Sequence, residues 1–178
     1  ILPFQGQNKI DENINLCYTV GRQFELLDEE IKNGLEKIER SEHRMKVIEY
    51  KDITIIDDTY NSNPDGIEYA LEYVKYLNGR KVVVLGDMLE LGDLSKEAHQ
   101  NAVKQVSENG VDVLFTLGDA FNQVQTENIE GYQFSDREKL HRLLIEEIKP
   151  GDKVLVKGSR GMSMESTVNF ILNNYKKG

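Results

Sequence analysis

The chain reads as an α/β protein: a Rossmann-like, mostly parallel sheet of about six strands with helices on both faces. Three observations predict this. Short runs rich in Val, Ile and Leu (residues 53–56, 82–85 and 154–156) alternate with longer segments of helical periodicity. Each of these runs opens into a polar loop, as strands do where an open sheet binds a ligand. The helical segments stop at Asn78-Gly79, Asn109-Gly110 and Pro150-Gly151, pairs that end helices by supplying a left-handed residue or removing an N–H donor.

Taken in order, residues 8–40 have the pattern of two helices. Ile10, Ile14, Cys17, Tyr18 and Val20 form one periodic set, and Ile31, Leu35 and Ile38 form another. Asp28 is expected to cap the second helix, with Glu29 and Glu30 favourably placed in its first turn. Cys17 is the single cysteine, so no intramolecular disulfide exists, and its apolar setting predicts a buried packing residue. The charged stretch 39–44 interrupts the pattern. It divides the chain into a helical segment, 1–43, and an α/β domain, 44–178.

In the second part, 47–50 and 53–56 are short strands, and Lys51-Asp52 between them suits a hairpin. Pro64 stands near the start of a helix whose inner face carries Ile67, Ala70, Leu71, Val74 and Leu77. A strand at 82–85 follows, then a helix over 95–109 with Ser95 as N-cap. Residues 111–116 form the next strand, followed by a short helix near 119–126 and a short strand at 131–134. Leu140, Leu143, Leu144 and Ile148 mark another helix. The last strand, 153–157, feeds a final helix containing Met164, Val168, Phe170, Ile171 and Leu172.

The net charge of −9 argues against a general nucleic-acid binder, because phosphate contacts need a basic surface. One small anion held by a few local cations remains compatible with it. No apolar run approaches the roughly 20 residues that span a bilayer, and no signal-peptide pattern opens the chain. A soluble cytoplasmic protein is the expectation. The chain begins Ile1-Leu2-Pro3-Phe4 without an initiator Met and is expected to be a piece of a longer protein.

Three loops carry the candidate chemistry. The first is Asp57-Asp58-Thr59-Tyr60-Asn61-Ser62-Asn63-Pro64, after the apolar strand 53–56. Alternation lets only one of the two acids face a crevice, where it would hold a hydroxyl, a metal or an amine; the other reading is a turn cap. Asn61 and Asn63 offer amides suited to an adenine edge, and equally to turn formation. The second loop is Gly86-Asp87-Met88-Leu89-Glu90-Leu91-Gly92. Asp87 either pairs with an ammonium group or caps a helix, whereas Glu90 reads as surface charge. The third is Lys157-Gly158-Ser159-Arg160-Gly161-Met162, in which two cations, a hydroxyl and two glycines before a helix suit an anion. It is not a Walker A loop, since G-x-x-x-x-G-K-[ST] occurs nowhere in the chain. His43, His99 and His141 lack metal-ligand spacing and are expected in surface or capping roles. No G-x-S-x-G elbow is present.

Together, the three loops resemble the Mur ligases in motif, order and spacing across 44–178, and within that family the type that adds D-Ala-D-Ala. The segment before Arg44 resembles the end of the family's central ATP-binding domain. The resemblance implies an ATP- and Mg²⁺-dependent enzyme. It would join D-Ala-D-Ala to a UDP-N-acetylmuramoyl-tripeptide through an acyl phosphate during peptidoglycan precursor synthesis. It assigns Asn13, Arg44, Asp58 and Asn61 to the nucleotide side. Asp87, Lys157, Ser159 and Arg160 fall on loops facing the dipeptide and the reacting centre. The P-loop and the Mg²⁺ ligands would lie in other domains of the same polypeptide, so this piece alone is expected to be inactive. Two positions depart from the family pattern: Gln7-Asn8-Lys9 stand after Gly6 where Gly-x-His-Asn is usual, and His43 replaces a common Gly. The competing readings are a sibling ligase of the tripeptide-forming or folylpolyglutamate type, or a non-catalytic α/β binding domain. The Lys157–Met162 loop argues against the siblings.

Overall fold

The computed structural model describes residues 9–37, 42–126 and 128–176. The chain forms two compact units, Ile1–Arg40 and Ser41–Gly178. In the first, helix α1 (Lys9–Gln23) is followed by α2 (Asp28–Glu36). Gly21 lets α1 approach Ile31 of α2, and among the described residues of this unit these two are the buried ones. Asp28 is not the cap. Leu27 takes that position, and its N–H is met by Glu30 Oε2 at 2.8 Å, while Asp28 begins the helix proper. Cys17 is exposed, contrary to the expectation of burial. Periodicity marks a face as apolar but does not say what covers it.

The second unit holds β1 (Lys46–Tyr50), β2 (Ile53–Asp58), α3 (Pro64–Lys75), β3 (Lys81–Gly86), α4 (Ser95–Glu108), β4 (Val113–Leu117), β5 (Glu130–Phe134), α5 (Arg137–Glu147), β6 (Lys153–Lys157) and α6 (Glu165–Asn174). The sheet order is β1-β2-β6-β3-β4-β5, antiparallel at the β1–β2 edge and parallel elsewhere. Central strands covered on both faces are buried throughout, which is why β2 and β3 read as continuous apolar runs. Successive side chains go to opposite faces. Ile56, Val83, Leu85, Leu114 and Leu155 pack under α3 and α4. Ile55, Val82, Val84, Phe115 and Val154 pack under α5 and α6.

Helix starts follow local chemistry where a short polar side chain precedes the first turn. Asn63 Oδ1 accepts the Gly66 N–H at 2.7 Å with Pro64 at the first helical position, and Asp136 Oδ1 accepts the Glu138 and Lys139 N–H groups. Ser95 departs from its expected role. A 3-10 turn at Gly92–Leu94 runs straight into α4, so Ser95 is already helical. The helix expected near 119–126 is a single 3-10 turn, Phe121–Gln123, started by the Asp87 carboxylate, which accepts the Ala120 and Phe121 N–H groups. Among the described residues, no helix is long and apolar enough to cross a membrane.

Candidate functional site

Topology creates the crevice. The connections after β2 and β3 pass over the α3/α4 face, whereas β6, lying between them, sends its connection to the α6 face. Chains diverging from adjacent parallel strands leave a gap at the strands' carboxyl ends. Here that gap is a cleft of about 520 Å³ lined by Tyr60, Asn61, Ser62 and Asn63 after β2, Leu89, Glu90 and Leu91 after β3, and Ser159, Arg160 and Gly161 after β6. All three sequence-nominated loops meet in it.

Their charged residues divide into two sets. The first lies beneath the cleft and is engaged inside the protein. Asp58 is buried, with Oδ1 accepting the Met45 N–H at 3.1 Å and Oδ2 taking Lys157 Nζ at 2.5 Å. Lys157 is 3% exposed and also donates to the Asn61 carbonyl at 2.9 Å. The cation on β6 thus neutralises the acid on β2 and ties down the β2–α3 loop. Asp57, buried beside it, accepts from Thr59 N and Oγ1 and pairs with His43 Nδ1 at 2.7 Å, the turn-capping alternative.

Asp87 also points inward. Its two carboxylate oxygens accept the N–H groups of Ala120 and Phe121, each at 3.0 Å, and so cap the 3-10 turn after β4. Gly118, at φ +133°, completes this arrangement, since any side chain there would overlap the Asp87 carboxyl. Asp87 thus caps a turn more than thirty residues away. Ser159 is 4% exposed; its Oγ accepts the Leu89 N–H at 2.8 Å and reaches the Ser62 carbonyl at 3.4 Å. One hydroxyl thereby joins all three loops.

The second set faces solvent. Arg44 lies over the Tyr60 ring, 3.8 Å from its centroid, and the exposed face of Tyr60 forms part of the cleft wall. Asn61 and Arg160 line the opening with their side chains uncovered. Arg160 Nη1 stands 3.9 Å from Glu165 Oε1, beyond hydrogen-bond length. Asn13 lies in α1, in the other unit, and its side chain falls outside the described residues.

Three supporting residues have roles that the sequence did not indicate. His99, expected at the surface, is fully buried: its Nδ1 contacts the Ser95 carbonyl at 2.6 Å and its Nε2 accepts the Met88 N–H at 3.0 Å. That pattern requires the neutral ring with its proton on Nδ1, and it anchors the start of the Met88–Leu91 loop. Arg137, at the start of α5, donates to Ser163 O at 3.1 Å, to Ser166 Oγ at 2.7 Å and to the Met162 carbonyl, bracing the β6–α6 loop from behind. Burial lowers its pKa. His141 is buried too, stacked on Phe170 with Nε2 3.0 Å from Thr167 Oγ1. Burial, then the charge of Arg137, lowers its pKa. A hydrogen-bonded neutral imidazole is compatible with a core that periodicity alone assigns to apolar residues.

The family model described as "Mur ligase, glutamate ligase domain" matches residues 43–160. The chain belongs to the Mur ligase family. Within it, the UDP-N-acetylmuramoyl-tripeptide–D-alanyl-D-alanine ligase of Bacillus subtilis is 28% identical over 97% of this chain and 40% of its own length. The crystal structure of MurF from Acinetobacter baumannii superposes with a TM-score of 0.84 at 27% identity, covering 97% of this chain and 39% of that one. MurF ligase from Thermotoga maritima, solved in complex with ADP, gives 0.75 at 27% identity, covering 88% and 36%. This Mur ligase chain therefore spans about two-fifths of the length of its relatives.

Proposed function

We propose that the chain is the C-terminal part of an ATP-dependent ligase that joins D-Ala-D-Ala to UDP-N-acetylmuramoyl-tripeptide. The observation that carries the reading is likeness along nearly the whole chain to ligases named for that reaction, with all three of its motif loops gathered on one cleft. In the reaction, a carboxylate oxygen of the tripeptide attacks the γ-phosphorus of ATP and ADP leaves. The dipeptide amine, having lost a proton, then attacks the carbonyl carbon; phosphate departs and an amide remains. Such chemistry depends on positioning and charge stabilisation rather than on a covalent protein intermediate.

Within that scheme this chain supplies a closing domain. Arg44 and Asn61 are placed on the nucleotide side, and Arg160 on the acceptor side. Asp58, Asp87, Lys157 and Ser159 set the loop geometry on which those contacts depend. The phosphate-gripping P-loop belongs to the rest of the polypeptide, as does Mg²⁺. Substrates of this kind, a UDP-linked precursor and ATP, assign the reaction to the cytoplasm.

The test is phosphate release by the full-length polypeptide carrying this chain, with ATP, Mg²⁺, the UDP-linked tripeptide and D-Ala-D-Ala each omitted in turn. Release that needs both peptide substrates is the expected result. A well-folded parent with no acceptor-dependent release would refute the ligase reading.

A further inference from the structure

The three loops at the carboxyl ends of β2, β3 and β6 (57–63, 86–92 and 157–163) carry six charged side chains. Four are engaged inside the protein: Asp57 by Thr59 and His43, Asp58 and Lys157 by each other, and Asp87 by two backbone N–H groups. The remaining two, Glu90 and Arg160, are of opposite sign and line the same cleft; Arg160 has a loose ionic contact with Glu165, outside these loops, at 3.9 Å.

Glu90 adopts φ +66°, the left-handed region where glycine or asparagine is the ordinary occupant. Among the described residues no hydrogen bond or ion pair engages its carboxylate, and the side chain is exposed. Strained non-glycine backbone of this kind collects at ligand sites. Its position relative to Arg160 is also fixed. Leu89 and Ser159, the residues immediately before Glu90 and Arg160, are joined by the 2.8 Å bond from the Leu89 N–H to Ser159 Oγ. On the far side of Arg160, Gly161 permits the two loops to touch, since a methyl group there would come within 2.7 Å of Leu89 Cδ1.

We infer that Glu90 and Arg160 form a two-charge clamp for a zwitterionic peptide acceptor, Glu90 receiving its ammonium and Arg160 its terminal carboxylate. The assignment rests on the ligase reading above and gives that site its acceptor contacts. An extended dipeptide spans about 7 Å, and the guanidinium can grip a carboxylate through two parallel bonds. The ammonium role thus passes from the buried Asp87 to the exposed acid three residues later.

Steady-state kinetics on the full-length polypeptide test this, with Glu90→Gln, Glu90→Gly and Arg160→Met. Each should raise KM for D-Ala-D-Ala by about 10- to 100-fold, the loss of one charged hydrogen bond, with KM for ATP and for the tripeptide unchanged. Glu90→Gly keeps the left-handed backbone accessible, so its Tm should be retained while its acceptor KM rises. Wild type should discriminate against the C-terminal amide of the dipeptide, and Arg160→Met should lose that discrimination while Glu90→Gln keeps it. A dipeptide KM within about twofold of wild type in the Glu90 variants, or equal discrimination against the amide in Arg160→Met, overturns the clamp while leaving the ligase reading intact. No dipeptide-dependent release from wild type overturns both.

Discussion

The floor and the rim of the cleft are built from the same motifs and use charge in opposite ways. On the floor, Asp58, Asp87, Lys157 and Ser159 are nearly excluded from water, and each ties one loop to another across long sequence separations. On the rim, Arg44, Asn61, Glu90 and Arg160 are exposed and bind little of their own fold. A motif is therefore not a roster of ligand contacts. Roughly half of this one shapes the backbone that presents the other half. Removing a floor residue should cost stability, and activity with it; removing a rim residue should cost activity alone.

The sharpest way to break this contrast is Lys157→Met, which leaves Asp58 buried without its cation. A destabilisation of about 3–5 kcal/mol is expected in urea unfolding of the chain, and the double variant Asp58→Asn/Lys157→Met should recover much of it. A loss below about 1 kcal/mol would mean that the pair belongs functionally to the rim. Asp87→Ala strands the Ala120 and Phe121 N–H groups, with an expected cost of about 3 kcal/mol; an unchanged unfolding midpoint would restore Asp87 as a ligand contact. Ser159→Ala removes one acceptor from Leu89 N–H and should cost about 1–2 kcal/mol. The same variant should loosen hydrogen-exchange protection at Leu89.

A pH measurement supplies a control remote from both regions. The folded-state pKa of His141 is lowered, by burial first and by Arg137 second. The unfolded chain, titrating near 6.5, therefore takes up the proton first. The His141 contribution is fully present above that pH and is lost as pH falls through the folded-state pKa. His141→Gln should flatten the slope of Tm below about pH 6.5; an unaltered slope would assign it to other groups. The smallest effect is expected at the rim. Arg44→Ala removes an exposed cation–π contact and should change stability by about 0.5 kcal/mol, while weakening nucleotide use by the parent enzyme.

Much of the architecture was legible from local pattern. The strands at 53–56, 82–85 and 153–157 announce themselves by short apolar runs, and Asn63-Pro64 marks a helix start through a cap and a preset φ. The three loops were legible as a site because strand ends in a parallel sheet converge. Partners were not. Nothing near Asp87 in sequence points to Ala120, and nothing near Lys157 points to Asp58, 99 residues away. His99 reads as polar and turns out fully buried because Met88 N–H and Ser95 O happen to satisfy both ring nitrogens. Cys17 reads as buried and is exposed because burial requires a second surface, which periodicity does not reveal.

By itself, then, the sequence determined the element types, the family and the loops that carry the chemistry. These follow from periodicity, turn residues and motif spacing, all of which act over a few residues. Tertiary structure alone decided which charges face inward. It did so by inserting β6 between β2 and β3, which brings Lys157 against Asp58 and Ser159 against Leu89 and Ser62. Burying one acid requires a cation or N–H donors at hydrogen-bond distance, and which acid obtains them depends on strand order, a property of the whole sheet.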